Sequence, residues 1–360
     1  MYLTIDALFN DANVLRAIID RTIALGLDEI FWQRNLTFEE TQSRVFKSYM
    51  GTVLGVTAGS VIDKNAERPL RNRSSLGSGM LEVIQIGDRY QMDTDRLDAL
   101  DALVRKFNEA RTESQKQAMN AIIDYIVDDM RQCILAPHKR MDLLVGSLRS
   151  TGKAQVTVAD NENGVSLVDM EIPVNVIAPA AADKTKFISF LKEKLESLKL
   201  KYGKYAYMEM SRSTFNKNIV GCSEFGSTFK MVLTGKEEFN LASGLITSQM
   251  ATQVFTGVGL PSIRINEDMV QLADGTFKPT FADDRISLFH SEKQGKMRWY
   301  DPFERRNKYA GKAYTDLSGG QFISSKRSEE GTFTEYFCEW VPEIANPNKI
   351  TILDLSAMNA

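Results

Sequence analysis

Residues 88 to 136 contain neither glycine nor proline, and this unbroken run constrains the fold more than any other stretch of the chain. Those two residues are the strongest local punctuation of secondary structure, so their absence leaves a long helix free to form. Asp93, Thr94 and Asp95 can cap and charge its start. Leu97, Leu100, Val104 and Phe107 mark an apolar stripe. Met119, Ile122, Ile123, Ile126, Met130 and Ile134 continue it at spacings of three and four. The polar stretch from Arg111 to Lys116 is where the pattern can break in two. Unbroken, about 40 residues at ~1.5 Å each run about 60 Å. A compact chain of 360 residues has a diameter of only about 50 Å. Such a helix would span the whole molecule, which implies a flattened or elongated subunit.

Upstream of it, residues to about Gly26 carry a helical pattern through Leu15, Ile18, Ile19 and Ile23, and Ile30, Phe31 and Trp32 open an extended stretch. From Thr41 to Val61, Val45, Phe46, Tyr49, Val53, Leu54 and Val56 mix with Gly51, Gly55 and Gly59. β-Branched and aromatic residues punctuated by glycine suit strands. Asp63 to Gly79 is a polar tract without periodicity, and Met80 to Ile86 returns from it as a strand. The whole reads as a long hairpin whose tip is polar and basic, with Lys64, Arg68, Arg71 and Arg73. Loops this long inside compact domains usually have a task. A two-stranded hairpin is marginal by itself, so another chain is expected to cover it.

Downstream of the helix the periodicity changes. Ala154 to Val158 alternates, Asp160 to Gly164 is a hairpin turn, and Val165 to Met170 returns. Asp183 caps an amphipathic helix that turns Phe187, Leu191, Leu195 and Leu198 inward and stops at Gly203. Tyr205 to Met210 reads as a strand, Ser213 opens a short helix, and a third helix runs from about Glu237 to Phe255. The remainder is mostly strands: Ile263 to Leu272, Arg285 to His290, Met297 to Tyr300, Thr332 to Trp340 and Ile350 to Leu355. Interleaved helices and mainly antiparallel strands define an α+β class of two or three lobes.

Composition excludes several functions. Lys plus Arg total 44 against 47 Asp plus Glu, a formal charge of -3. A protein that grips nucleic acid by neutralising phosphates carries a basic excess. No stretch approaches the roughly 20 apolar residues that span a bilayer, and no signal-peptide pattern opens the chain. Cys133, Cys222 and Cys338 form no paired motif, and with only two histidines a structural zinc site is not expected. Gly146-Ser-Leu-Arg-Ser-Thr-Gly152-Lys153-Ala154 fails as a phosphate loop: it has one residue too many, Ala154 stands where magnesium needs a hydroxyl, and it follows a helix. Asp283, Asp284 and His290 are the one compact acid-plus-imidazole group, which a hydrolase would use as base and orienter. No nucleophile motif accompanies them. The residues point to no active site and no cofactor.

The order of the pieces is more specific than any one of them. Asp142 to Val158 turning into Val165 to Asp169 resembles the helix-end and hairpin signature of phage lambda-type major capsid proteins. Lys186 to Gly203 is similar to that family's next helix, and Tyr205 to Asn216 to its strand-to-helix passage. Leu260-Pro-Ser-Ile-Arg-Ile-Asn, Asp284-Arg-Ile-Ser-Leu-Phe289 and Gly295-Lys-Met-Arg-Trp-Tyr300 resemble its late strands, and Gly331 to Asn348 its closing strand. The likeness runs from about residue 30 to residue 358.

The resemblance implies the Hong Kong-ninety-seven capsid fold, an α+β architecture with an N-terminal arm, an extended β-hairpin loop, a long spine helix, and peripheral and axial domains. On it, 1–50 is the arm, 51–90 the extended loop and 91–175 the peripheral domain, with the spine helix within 94–136. The axial domain is 176–325, and 326–360 is the C-terminal strand returning to the peripheral domain. The expected function is that of a major head protein of a tailed bacteriophage or prophage, not an enzyme, assembling through pentamers and hexamers into an icosahedral shell. Its partners would be itself, a separate scaffolding protein, a portal, a decoration protein, and packaged DNA only non-specifically, with no membrane. It would be assembled in the bacterial host cytoplasm and end in the virion. Lys64, Arg68, Arg71 and Arg73 are the expected intersubunit contacts. An encapsulin-like compartment shell and a small hydrolase using Asp283, Asp284 and His290 are the alternatives.

Overall fold

The computed structural model describes residues 2–50, 77–157, 168–180, 184–233, 246–329 and 331–359. The chain opens with α1 (Ile5–Asn10), α2 (Ala12–Ala24) and α3 (Phe31–Asn35), followed by β1 (Leu36–Thr41), β2 (Val45–Met50), β3 (Gly77–Glu82) and β4 (Ile84–Met92). Next come α4 (Thr94–Glu109), α5 (Thr112–Thr151), β5 (Lys153–Val156), β6 (Val168–Glu171), β7 (Asn175–Ile177) and α6 (Phe187–Tyr202). β8 (Tyr207–Ser211) leads through α7 (Arg212–Thr214) into a π-helical turn (Phe215–Val220), then α8 (Ser223–Leu233) and α9 (Ser248–Gly257). β9 (Ser262–Asn266), β10 (Met269–Gln271), β11 (Phe277–Pro279), β12 (Arg285–Phe289) and β13 (Gly295–Tyr300) follow. The chain closes with α10 (Phe303–Arg306), β14 (Ala313–Asp316), β15 (Phe322–Ser328), β16 (Gly331–Ile344), β17 (Thr351–Asp354) and α11 (Ser356–Asn359).

Two compact units result, each built from separate stretches of chain. The first takes Met1–Phe46, Met80–Met141 and Lys296–Glu343; the second takes Asp142–Gly295 and Ile344–Ala360, with Lys47–Gly79 joining it. In the first, strands lie in the order β1-β13-β16-β15-β14, and β4 also pairs with β16. The long β16 therefore serves three neighbours: β13, β15 from Phe322↔Phe337 to Ser328↔Gly331, and β4 from Ile84↔Trp340 to Met92↔Thr332. Against this sheet α1 and α2 bury Leu8, Phe9, Leu15, Ile18 and Ile19, while α4 adds Leu100 and Val104 and α5 adds Ile122, Ile126, Met130 and Cys133. Caps define the helix starts: Asp11 accepts from the amide of Asn13, and Asp93 from that of Arg96, both at 2.8 Å.

The long helical pattern does break in two at the start of the polar stretch, because Ala110 takes an extended ψ of 144° between α4 and α5; the polar residues from Thr112 on are themselves helical. Two expectations need correction. First, α5 does not end at residue 136 but carries Pro137 inside and continues to Thr151. Proline in a helix interior leaves the carbonyl four residues back without its donor. Here that carbonyl belongs to Cys133, and the buried side-chain amide of Gln321 donates to it at 3.0 Å and to that of Ile134 at 3.1 Å. The second correction is the extended stretch opened at Ile30, which becomes the short helix α3 from Phe31 on, with Phe31, Trp32 and Asn35 buried.

In the second unit the order is β7-β17-β12-β8-β9, parallel at β7 with β17 and at β8 with β9, antiparallel elsewhere. α6 buries Phe187, Leu191, Leu195 and Leu198 as its spacing predicts, against Met208, Met210, Phe215, Phe225, Phe255, Ile286 and Leu288. α8 was not expected from the sequence, because Gly226 interrupts its pattern. Its Glu224 accepts from the amides of Ile188 (2.9 Å) and Ser189 (3.1 Å), a cap supplied to α6 from another helix. The sheet edge at β9 is covered by α9, whose Thr252 hydroxyl accepts from Ile263 N at 3.2 Å and donates to Ile263 O at 3.3 Å. Strands β7, β14 and β15 also escaped the sequence reading. β5 and β6 pair from Lys153↔Glu171 to Val156↔Val168, as the hairpin pattern predicts. The turn at Asp160–Gly164, the cap at Asp183, and the part of the third helix before residue 246 lie outside the described residues.

Candidate assembly surface

Lys64, Arg68, Arg71 and Arg73 lie outside the described residues, in the stretch of sequence between β2 and β3. β2 and β3 pair with each other and form a two-stranded sheet of their own. Val45 and Met80 are exposed on them, Met80 at 64%. Just outside the two strands, the amide of Val83 donates to Arg44 O at 2.9 Å. The Arg44 guanidinium makes a two-pronged contact with Glu339 (2.8 and 2.6 Å) and lies 5.4 Å from the Tyr300 ring centre. Glu339 is buried on β16, and its hydrogen bond holds Arg44 more firmly protonated than usual. A planar guanidinium fixed at two points resists rotation, so this clamp holds Arg44, the residue before β2, against β16.

The sheet of the first unit spends its other charges internally. Glu39 binds both Lys296 and Arg298, and Arg298 Nε reaches Glu343 at 2.6 Å. The hydrogen bond from Lys296 keeps the Glu39 carboxyl below the usual carboxylate range. Glu335 binds Lys312 and, at 2.9 Å, Arg89. Burial opposes its ionisation, yet these two cations hold its pKa low. Among the described residues, large apolar side chains are instead left in solvent at Phe303 and Tyr309, at Met269 and Phe277 on the β10–β11 hairpin, and at Leu200 on α6. Two-stranded β10–β11 buries Val270 on one face and turns Met269 and Phe277 outward on the other.

The acid-plus-imidazole group is not assembled. Asp284 lies just before β12 and His290 just after it, so at ~3.3 Å per residue the strand holds them about 20 Å apart. Asp283 accepts from the Ser211 hydroxyl. Asp284, with φ +55°, accepts from Asn359 Nδ2 at 2.6 Å and faces Lys217 Nζ at 3.5 Å. His290 bonds Lys204 O through Nδ1 at 2.9 Å and stacks on Tyr205 at 4.2 Å. The hydrolase alternative therefore loses its geometry. The three thiols are buried and unpaired, and burial pushes those of Cys133 and Cys338 up, away from a reactive thiolate. The rejected phosphate loop is helix as far as Thr151, then a turn at Gly152 with φ +76°. Among the described residues no helix is long and apolar enough to cross a membrane.

One charged group escaped the sequence reading. Arg149, wholly buried near the end of α5, binds Glu209 at 2.6 and 3.2 Å, Gln294 at 2.8 Å and the Tyr207 hydroxyl at 3.2 Å. Its guanidinium also lies 4.5 Å from the Phe289 ring centre. The available signal was a cation four residues after Val145, inside the apolar stripe of Met141, Leu144, Val145 and Leu148.

No protein-family profile matches the chain, and no curated protein matches it. The solved structures define the class: this is a phage capsid fold, the α+β architecture expected from the sequence. A protein assigned as the capsid protein of a prophage of Escherichia coli CFT073 aligns over 97% of this chain and 99% of its own, at 11% identity and a TM-score of 0.57. A phage-related protein from Bordetella bronchiseptica RB50 aligns over 96% and 98%, at 7% identity and a TM-score of 0.46. The satellite phage P4 procapsid aligns over 95% and 98%, at 11% identity and a TM-score of 0.42.

Proposed function

We propose that this chain is the major head protein of a tailed bacteriophage or prophage, a structural and not a catalytic protein. The observation that carries the reading is the end-to-end likeness to the prophage protein, 97% of one chain against 99% of the other, which leaves little of either chain for a different task. In this reading 1–50 is the arm, 51–90 the extended loop, 91–175 and 326–360 the peripheral domain, and 176–325 the axial domain. Identical subunits join head to tail into pentamers and hexamers, and these close an icosahedral shell around the viral DNA. The two-stranded β2–β3 hairpin, with Val45 and Met80 exposed, lies on a neighbouring subunit that covers what its own chain does not. Lys64, Arg68, Arg71 and Arg73 make polar contacts there. Many modest interfaces add up through multivalency, and the charge of -3 keeps the inner wall from gripping DNA. A scaffolding protein, a portal and a decoration protein are the further partners, assembly takes place in the host cytoplasm, and the end product is a virion. Negative-stain microscopy of the expressed protein tests the reading. Closed polyhedral shells or rings of five and six subunits are expected, and a stable monomer at high concentration contradicts it.

A further inference from the structure

His138 follows Pro137 in α5 and stands inside a box of aromatic rings. Trp32 of α3 lies nearly parallel to the imidazole at 5.7 Å, Trp340 of β16 is tilted at 4.8 Å, and Phe38 of β1 meets it edge-on at 6.4 Å. The indole Nε1 of Trp32 donates to His138 Nδ1 at 3.2 Å, so that nitrogen is the acceptor and carries no proton. The imidazole is 5% exposed. One ring thus joins α3, β1 and β16 to the helix, next to the break that Gln321 repairs.

We propose that His138 is an acid-sensitive latch, whose protonation replaces the Trp32 hydrogen bond with two opposed N–H groups and frees α3 from the long helix. An imidazolium donates from both nitrogens and has no acceptor left for the indole. Most charged groups of the surrounding elements are held by other partners. On α5 the neighbours are Lys139, Arg140 and, one turn on, Asp142. At α3, Glu29 is paired with Arg34 at 2.7 Å, and Lys139 Nζ donates to Glu29 O at 3.1 Å. On β1, Glu39 is held by Lys296 and Arg298, with Glu40 beyond it; on β16, Glu339 is held by Arg44, with Glu343 bound to Arg298. Burial first, and the Lys139 charge second, push the pKa of His138 down to about 4. Its folded value lies below the ordinary 6.5, so the latch is shut at neutral pH and loosens as pH falls towards 4.

The chain has two histidines and three tryptophans, two of the latter in the box, so both ends of the latch can be observed. Tryptophan fluorescence of the full chain is followed from pH 7 to 3.5 for the wild type and for His138→Gln, whose amide oxygen can accept from Trp32 but cannot titrate. A transition centred near pH 4 in the wild type and absent from the variant is expected; the same transition in both overturns the latch. Should the variant not fold, the wild-type histidine resonances decide, with His290→Gln supplying the assignment. His138 titrating near pH 4 together with the fluorescence supports the latch. Titration near 6.5, or a fluorescence change at a different pH, overturns it.

Discussion

Gln321 and Pro137 are a matched pair: the proline removes one donor from the middle of a 40-residue helix, and the glutamine amide supplies another to the carbonyl left behind. The helix keeps running because a residue from another part of the chain completes its ladder. Replacing Gln321 by Ala leaves the carbonyls of Cys133 and Ile134 buried without that donor, at a cost of roughly 1–3 kcal/mol. Urea unfolding measures it, and an unchanged midpoint would show that the kink needs no repair.

Gly319 and Gly320 both have positive φ, +68° and +70°, and a Cβ on Gly320 would sit 2.4 Å from the Trp299 ring. Gly320→Ala combines left-handed strain with overpacking and should destabilise by about 3 kcal/mol. Gly311 has φ +80° but open space around it, so Gly311→Ala should cost only about 1 kcal/mol. Equal losses for the two variants in thermal unfolding would mean that the Trp299 contact is irrelevant.

Arg149 and Glu209 pair in a buried site, the arginine wholly enclosed and the carboxylate nearly so. Arg149→Met strands the carboxylate, and a loss of about 3–5 kcal/mol is expected. Arg149→Met with Glu209→Gln should recover a good part of it. A double-mutant cycle reads the coupling, and additive losses would rule the pair out as a unit.

Glu335 has a folded pKa below its ordinary 4.5, which fixes a sign. Its contribution to stability is present above about pH 4.5 and is lost as pH falls through the lower folded value. Glu335→Gln should therefore flatten the acid limb of the stability profile below pH 4.5 and weaken the protein at pH 7. Parallel profiles for variant and wild type would remove Lys312 and Arg89 as its stabilising partners.

Deleting residues 64–73 removes Lys64, Arg68, Arg71 and Arg73, the proposed intersubunit contacts, without touching the Arg44–Glu339 clamp. The subunit should keep its thermal transition and its circular dichroism but fail to close particles under the microscope. Normal shells from this deletion would refute the role given to Lys64, Arg68, Arg71 and Arg73.

The sequence by itself determined the elements whose evidence is local. The stripes of α4, α5 and α6, the α+β class, and the β5–β6 hairpin follow from periodicities of 3.6 and 2 that each segment carries alone. It also placed the order of elements well enough for a phage capsid fold to be expected and found. Only the tertiary structure decided the rest. It took α5 past Pro137 through a glutamine 188 residues from Cys133, coiled Phe31–Asn35 so that Trp32 reaches His138, and drew Arg149 to Glu209 across 60 residues. It also pulled His290 away from Asp283 and Asp284 by laying a strand between them. Apolar periodicity is printed in consecutive residues, whereas a hydrogen-bond partner is chosen by the folded path and leaves no mark near the group it satisfies.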